Sequence, residues 1–208
     1  VGPELCLQLM QSPEAAAICE PVIYGDAGVL RRVSEACALK LTGPVKDQKA
    51  IDADLVTPGV VNTETGLASF AYVETAIADA QTGTVAAVVT GQINLDAWSA
   101  VIIDYPVHTD LFSNATGTER YCMMLTSDKV TCSFVTAHVG LADVPGRITT
   151  ERVLEVIELS ADVMQRLRGR QPRLIVCGLN PHAGEQGLFG NGEEERLISP
   201  AIAAAVER

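Results

Sequence analysis

The sequence predicts an α/β fold, a layered parallel or mixed sheet flanked by helices, and three observations predict it. Helical and strand-like segments alternate along the chain, the pattern of βα units around a largely parallel sheet. The interior has to be built from Val, Ile, Leu and Ala, because 48% of residues are hydrophobic and only 4% aromatic. Such residues suit strands and helices stacked in layers. Apolar runs also break directly into glycine loops, most clearly at Leu174-Ile-Val-Cys-Gly-Leu-Asn-Pro-His-Ala-Gly-Glu185. In parallel α/β sheets such strand ends open onto the crevice where ligands bind.

The elements follow in order. Pro3 in a first turn, then Leu5, Leu7, Leu9 and Met10, predicts an opening helix. Residues 21–24 read as a short buried strand ending at Gly25-Asp26, with Asp26 placed to cap a helix over 27–38. Residues 42–62 have little periodicity and are expected to be a connection with one or two edge strands. From 66 to 80, Phe70, Val73, Ile77 and Ala80 share a helical face, and Gly83 ends that helix. Residues 85–90 are the next expected buried strand. Residues 121–125 and 130–135 flank Thr126-Ser-Asp-Lys129 and predict a hairpin.

The clearest helix spans 149–168. Thr149 or Thr150 caps it, Glu151 and Glu155 lie near its positive end, and Val153, Val156, Ile157, Val163, Met164 and Leu167 form an apolar stripe. Gly169 is its stop signal. The acidic run Glu193-Glu-Glu195 is expected to be a solvated helix start. The glycines at 184, 187, 190 and 192 do not make a GxGxxG fingerprint after a strand and imply no nucleotide site.

The 208 residues carry a net charge of −11. That balance argues against a nucleic-acid partner, because neutralising phosphates needs clustered Lys and Arg. The six cysteines include no CxxC pair, and the reading is of free thiols in an intracellular protein. Cys122, Cys132 and Cys177 lie in apolar runs, where a reduced thiol acts as a small hydrophobe. Neither a membrane-spanning stretch nor a signal-peptide pattern is visible. Val1-Gly-Pro-Glu4 reads as the middle of a glycine turn, and the run after Ala201 stops inside a helical pattern. Residues 1–208 are therefore expected to be a partial chain, most of one α/β lobe and part of a second.

Three histidines stand at predicted strand ends or loops: His108 in Tyr105-Pro-Val-His-Thr109, His138 in Phe134-Val-Thr-Ala-His-Val-Gly140, and His182 in Asn180-Pro-His182. Imidazole is the commonest ligand for borderline divalent metals. HxH and HExxH spacings are missing, so a metal would be assembled from distant loops. His108 beside Thr109 can hold a polar substrate, imidazole facing a carboxylate and hydroxyl adding a directional bond. Thr109 or Asp110 capping the following helix explains the same residues.

These motifs together resemble the 4-hydroxythreonine-4-phosphate dehydrogenase family, of the isocitrate/isopropylmalate dehydrogenase-like fold. The resemblance runs through Val1-Gly-Pro-Glu4, Tyr24-Gly-Asp26, Val89-Thr90, Ile93-Asn94, Pro106 with His108-Thr109, Thr136-Ala-His138 and the segment 177–185. It implies NAD-dependent oxidation of 4-phosphohydroxy-L-threonine, with decarboxylation to 3-amino-2-oxopropyl phosphate, in pyridoxal phosphate biosynthesis. It implies His138 and His182 as metal ligands, for zinc or otherwise Mg or Co, and His108 and Thr109 as substrate contacts. It also implies a cytoplasmic homodimer with a shared active site. A catalytic acid or base is not assigned. In the family a third metal histidine follows beyond the position of Arg208. Leu95 stands where a lysine is common, Gln92 where a proline is, and Val107 where a glycine is. Dehydrogenases of four-carbon sugar-acid phosphates or of dihydrodiols are the related alternatives, and a non-catalytic paralogue or truncated binding module is the alternative of another class.

Overall fold

Ile23 faces Val45, Tyr24 faces Lys46 and Gly25 faces Asp47 in a parallel ladder between β1 (Ile23–Gly25) and β2 (Val45–Asp47). The coordinates are those of a computed structural model, which describes residues 1–100 and 108–208. The chain divides into two units, Val1–Gly117 and Thr118–Arg208. The expected strand-end segment Tyr105-Pro106-Val107 lies outside the described residues.

In the first unit α1 (Gly2–Leu9) opens with proline in its first turn, and α2 (Pro13–Ala16) is capped by Ser12, whose Oγ accepts from Ala15 N at 3.2 Å. Leu7 from α1, Ile23 from β1 and Leu30 from α3 (Ala27–Cys37) form one buried cluster, with Met10, Val33 and Val45 around it. Asp26 stands at the N-cap position of α3, but its side chain does not cap the helix. Its carboxylate accepts from Ala50 N at 2.8 Å and from the Tyr72 hydroxyl. The helix start is served instead by Asp47 on the neighbouring strand, whose Oδ1 accepts from Ala27 N at 3.0 Å. A cap supplied from another strand leaves no local sequence pattern, which is why Asp26 looked like the capping residue.

Helix α4 (Thr63–Gln81) starts at Asn62, whose Oδ1 accepts from Thr65 N at 2.8 Å. Its Asp79 ties the helix to the ladder. The Tyr24 hydroxyl donates to Asp79 Oδ2 at 2.6 Å and the Lys46 ammonium to the same oxygen at 2.5 Å. Partial burial and the Asp79 carboxylate push the Tyr24 phenol up to about 12. Val73 and Ile77 of α4 then pack with Trp98 of α5 (Leu95–Ser99) and Leu111 of α6 (His108–Thr116) in a second cluster.

In the second unit β3 (Met123–Thr126) pairs antiparallel with β4 (Thr131–Phe134), so the expected hairpin is present. Its turn is closed by Ser127, whose N–H donates to Val130 O at 2.9 Å while its Oγ accepts from Val130 N at 3.1 Å. After the short α7 (Val144–Arg147), α8 (Thr150–Arg168) has the expected bounds. Thr149 Oγ1 accepts from Arg152 N at 3.1 Å, and Gly169 ends the helix at φ +63°. Ile148, Val153, Ile198 and Ala201 form the core with α9 (Ser199–Val206), joined by Val135, Val176 and Leu179. The apolar stripe of α8 is buried only in its first turns; Val163 and Leu167 near its end are exposed.

Two expected buried strands are absent from the described ladders, 85–90 and 174–177. Val89 is 89% exposed and Ile175 92%. An apolar run becomes a strand only where a neighbouring edge takes up its backbone N–H and C=O groups, and among the described residues neither run has such a partner. Cys132 and Cys177 are likewise exposed thiols, not core hydrophobes.

Candidate functional site

His108 and Thr109 begin α6 in the first unit. They lie within the first helical turn, together with Asp110, so neither Thr109 nor Asp110 is the capping residue. The His108 ring is half-buried and meets the Trp98 indole edge to face, centroids 5.7 Å apart. Trp98 is 1% exposed, packs edge-on against Phe70 at 5.6 Å and donates from Nε1 to Ser69 Oγ at 2.8 Å. Those two contacts anchor the indole, and the imidazole packs against it. Burial pushes the His108 pKa below its ordinary value. Its Nε2 is buried with no hydrogen-bond partner among the described residues. A neutral imidazole with a free ring nitrogen can either accept from or donate to a polar ligand, according to tautomer.

The Ile93-Asn94 motif is also in this unit. Ile93 packs against the Trp98 cluster, and Asn94 Oδ1 accepts from Ala97 N at 2.9 Å to start α5. Leu95 is the first residue of that helix and is exposed. An apolar side chain therefore stands in water where a cation would cost nothing to hydrate.

His138 and His182 belong to the second unit. His138 follows β4 through Val135, Thr136 and Ala137, is exposed, and has φ +56°. His182 is exposed as well and has φ +53°. It opens a run of six positive-φ residues: Ala183 at φ +52°, Gly184 at +77°, Glu185 at +43°, Gln186 at +58° and Gly187 at +88° follow it. Four of the six carry a Cβ, and each such residue costs roughly 1–2 kcal/mol relative to right-handed backbone. The His182 ring lies 6.3 Å from that of Phe189, tilted by 39°.

This turn is fastened by the acidic run that follows it. Glu193 and Glu194 are each 6% exposed, so the expectation of a solvated helix start holds only for Glu195, which is exposed. Glu194 Oε1 accepts from Asn180 N at 2.7 Å, and the Asn180 side-chain amide donates to Glu194 Oε2 and to Glu193 Oε2, each at 3.1 Å. Glu193 Oε2 also accepts from Asn191 N at 2.8 Å. Backbone donation, from Asn191 N–H to Glu193 and from Asn180 N–H to Glu194, holds both carboxyl groups below the usual carboxylate range. A run of three glutamates normally faces solvent, so the sequence carried no signal for this burial; the folding of Asn180 over the run creates it.

Imidazole is a common ligand of borderline divalent ions, and a catalytic zinc site uses three protein ligands. Among the described residues no three His, Cys, Asp or Glu side chains gather as a metal-binding group.

Residues 17–208 match the family model of the pyridoxal phosphate biosynthetic protein PdxA. The chain belongs to this family. A 4-hydroxythreonine-4-phosphate dehydrogenase of Desulfosudis oleivorans is 35% identical over 99% of this chain and 65% of the relative. A D-threonate 4-phosphate dehydrogenase of Cupriavidus necator is 34% identical over 98% of this chain and 66% of the relative. The crystal structure of a 4-hydroxythreonine-4-phosphate dehydrogenase from Klebsiella pneumoniae superposes with a TM-score of 0.85 at 29% identity, covering 99% of this chain and 66% of that one. The chain thus spans about two thirds of the length of the PdxA relatives it matches. The family resemblance read from the motifs and the α/β fold class both hold.

Proposed function

We propose that the chain forms the histidine-bearing part of a PdxA dehydrogenase that oxidises 4-phosphohydroxy-L-threonine with NAD, the oxidised product losing CO2 to give 3-amino-2-oxopropyl phosphate. The observation that carries this reading is the match of 17–208 to the family, with the Asn180-Pro-His182 turn inside it. NAD, when bound, would supply the two-electron oxidant for the carbon bearing the hydroxyl. A bound divalent ion, zinc or otherwise Mg or Co, supplies polarisation of the oxygen being oxidised.

The residues of this chain have separate parts. His138 and His182 would hold the ion. His108, fixed against Trp98, directs Nε2 to a polar group of the substrate, and the Thr109 hydroxyl adds a second directional bond. The family resemblance supports a homodimer with a shared active site, and a cytoplasmic setting. Among the described residues no helix is long and apolar enough to cross a membrane.

A second substrate has its own support, because the Cupriavidus necator relative is named for D-threonate 4-phosphate. The two substrates differ at C2, where one carries an amine and the other a hydroxyl. Assay of the protein expressed from its native gene, with each substrate, NAD and zinc, separates the readings. NADH formation from 4-phosphohydroxy-L-threonine, lost in His182→Ala, is the expected result. Turnover of D-threonate 4-phosphate alone would move the assignment to that substrate, and turnover of neither would favour a binding module.

A further inference from the structure

We propose that Glu193 and Glu194, with Asn180 as their shared donor, are positioning residues that hold the left-handed turn 182–187 and through it the His182 imidazole. The role given to His182 rests on the proposed metal-ligand reading; the brace itself rests on the geometry.

Six successive residues with positive φ do not persist on local preference, since left-handed backbone is normally visited one residue at a time. Strained segments survive where surrounding contacts over-determine them. The backbone bonds within the turn are few: Ala183 N donates to Asn180 O at 3.1 Å, Gly187 N and Phe189 N both donate to Gly184 O at 3.0 Å, and Leu188 N donates to Glu185 O at 3.3 Å. The remaining constraint comes from the two carboxylates. Glu194 grips Asn180 through its backbone and its side chain, one residue before Pro181, whose ring fixes the next φ.

Three glycines make room for this grip. A Cβ on Gly184 would lie 2.6 Å from Glu194 Oε2, and one on Gly178 would lie 2.7 Å from Ala183 Cα and 3.3 Å from Glu194 Oε1. A Cβ on Gly190 would collide with the Asn180 amide and lie 2.6 Å from Glu193 Oε2. The glycines at 178, 184 and 190 therefore surround one carboxylate pair, which gives the glycine-rich spacing a purpose other than nucleotide binding. Buried carboxylates usually face a cation; here, among the described residues, every hydrogen bond they accept comes from an amide. Two desolvated charges spent on one loop are explained by what that loop presents.

The test is NMR of the histidine rings together with amide hydrogen exchange, on wild type, Glu194→Ala, Glu194→Gln, Asn180→Ala and a Thr149→Ala control. In Glu194→Ala the amides of Ala183, Gly187 and Phe189 should exchange at least about tenfold faster, because the turn opens locally. The His182 ring signals should move while those of His138 stay in place. Glu194→Gln, whose side-chain oxygen still accepts from Asn180 N–H, should restore most of both readouts. Thr149→Ala weakens the same unit at α8 and should leave the His182 signals where they were. A folded Glu194→Ala with unchanged His182 signals and exchange would overturn the brace. If Glu194→Ala does not fold, Asn180→Ala is read by the same two criteria. Added zinc keeps the two ideas apart: wild-type His138 and His182 rings that ignore zinc would remove the ligand reading and leave the brace standing or falling on exchange alone.

Discussion

The indole of Trp98 and the imidazole of His108 meet edge to face at 5.7 Å, with ring planes 81° apart. This contact joins the core of the first unit to the start of α6, and it makes the protonation of one histidine a property of the fold. Burial lowers the His108 pKa, so at acidic pH the unfolded chain takes up a proton that the folded chain resists. The unfolded imidazole titrates near about 6.5. Stability from this group is therefore fully present above that pH and declines as pH falls through it. Thermal melts of wild type and His108→Phe between about pH 7.5 and 5.5 should converge or diverge accordingly: wild type loses stability faster than the variant as pH falls. Parallel melting curves across that range would show that His108 is not the group responsible.

Gly66 on α4 is the position where that core admits no side chain. A Cβ there would run into the carbonyl oxygen of Ala97, on the helix that carries Trp98. Gly66→Ala gains up to about 1 kcal/mol of helix propensity, but forcing backbone apart costs typically 1–3 kcal/mol, so net destabilisation is expected. Gly83→Ala meets open space and suffers only from its φ of +76°; about 1 kcal/mol is expected. Urea titration distinguishes them through the Trp98 signal: Gly66→Ala should alter the native fluorescence, and Gly83→Ala should not.

Asp26, 4% exposed, depends on the Tyr72 hydroxyl for one of its carboxylate oxygens. Burial, followed by the hydrogen bond to Asp26, raises the Tyr72 phenol pKa, so it stays a donor at any working pH. Tyr72→Phe should cost about 1–3 kcal/mol, the penalty for leaving a buried acceptor short of its partner. The double variant with Asp26→Asn measures the coupling. Additive single costs in that cycle would mean the pair does not interact as the structure indicates.

Local chemistry explains what the sequence revealed and what it hid. Helix α8 was readable because Thr149 and Gly169 are adjacent to the bonds they make, and the β3–β4 hairpin because Ser127 closes its turn within four residues. The histidines at 138 and 182 could be singled out by their loops, since Pro181 and Gly184 interrupt any regular element. Their left-handed backbone could not, because no residue type except glycine announces it. Pairing of 85–90 and 174–177 was beyond reach for another reason: apolar content shows that a run prefers burial, not which edge will receive it. The Asp47 cap of α3 and the burial of Glu193 and Glu194 belong to the same class. Each is a contact between segments 13 to 20 residues apart, as in Asn180 to Glu193 and Glu194 and Ala27 to Asp47.

Left-handed backbone at His182 leads to the last prediction, a trade of stability against ligand capacity. At φ +53° and ψ +29° a residue with a Cβ is strained, and glycine is not. His182→Gly removes that strain but adds flexibility to the unfolded chain, so a net gain of about 0.5–1 kcal/mol is expected. His182→Ala keeps the Cβ and should melt near wild type, because the exposed ring contributes little burial. Both variants lose the imidazole, so both should lose zinc affinity measured by competition with a chromophoric chelator. A residue retained for its side chain at a backbone cost gives this pattern: glycine more stable, alanine unchanged, and neither binding metal. Unchanged zinc affinity in both variants would mean that His182 is not a ligand, and a glycine variant less stable than wild type would mean that the turn is not strained at this residue.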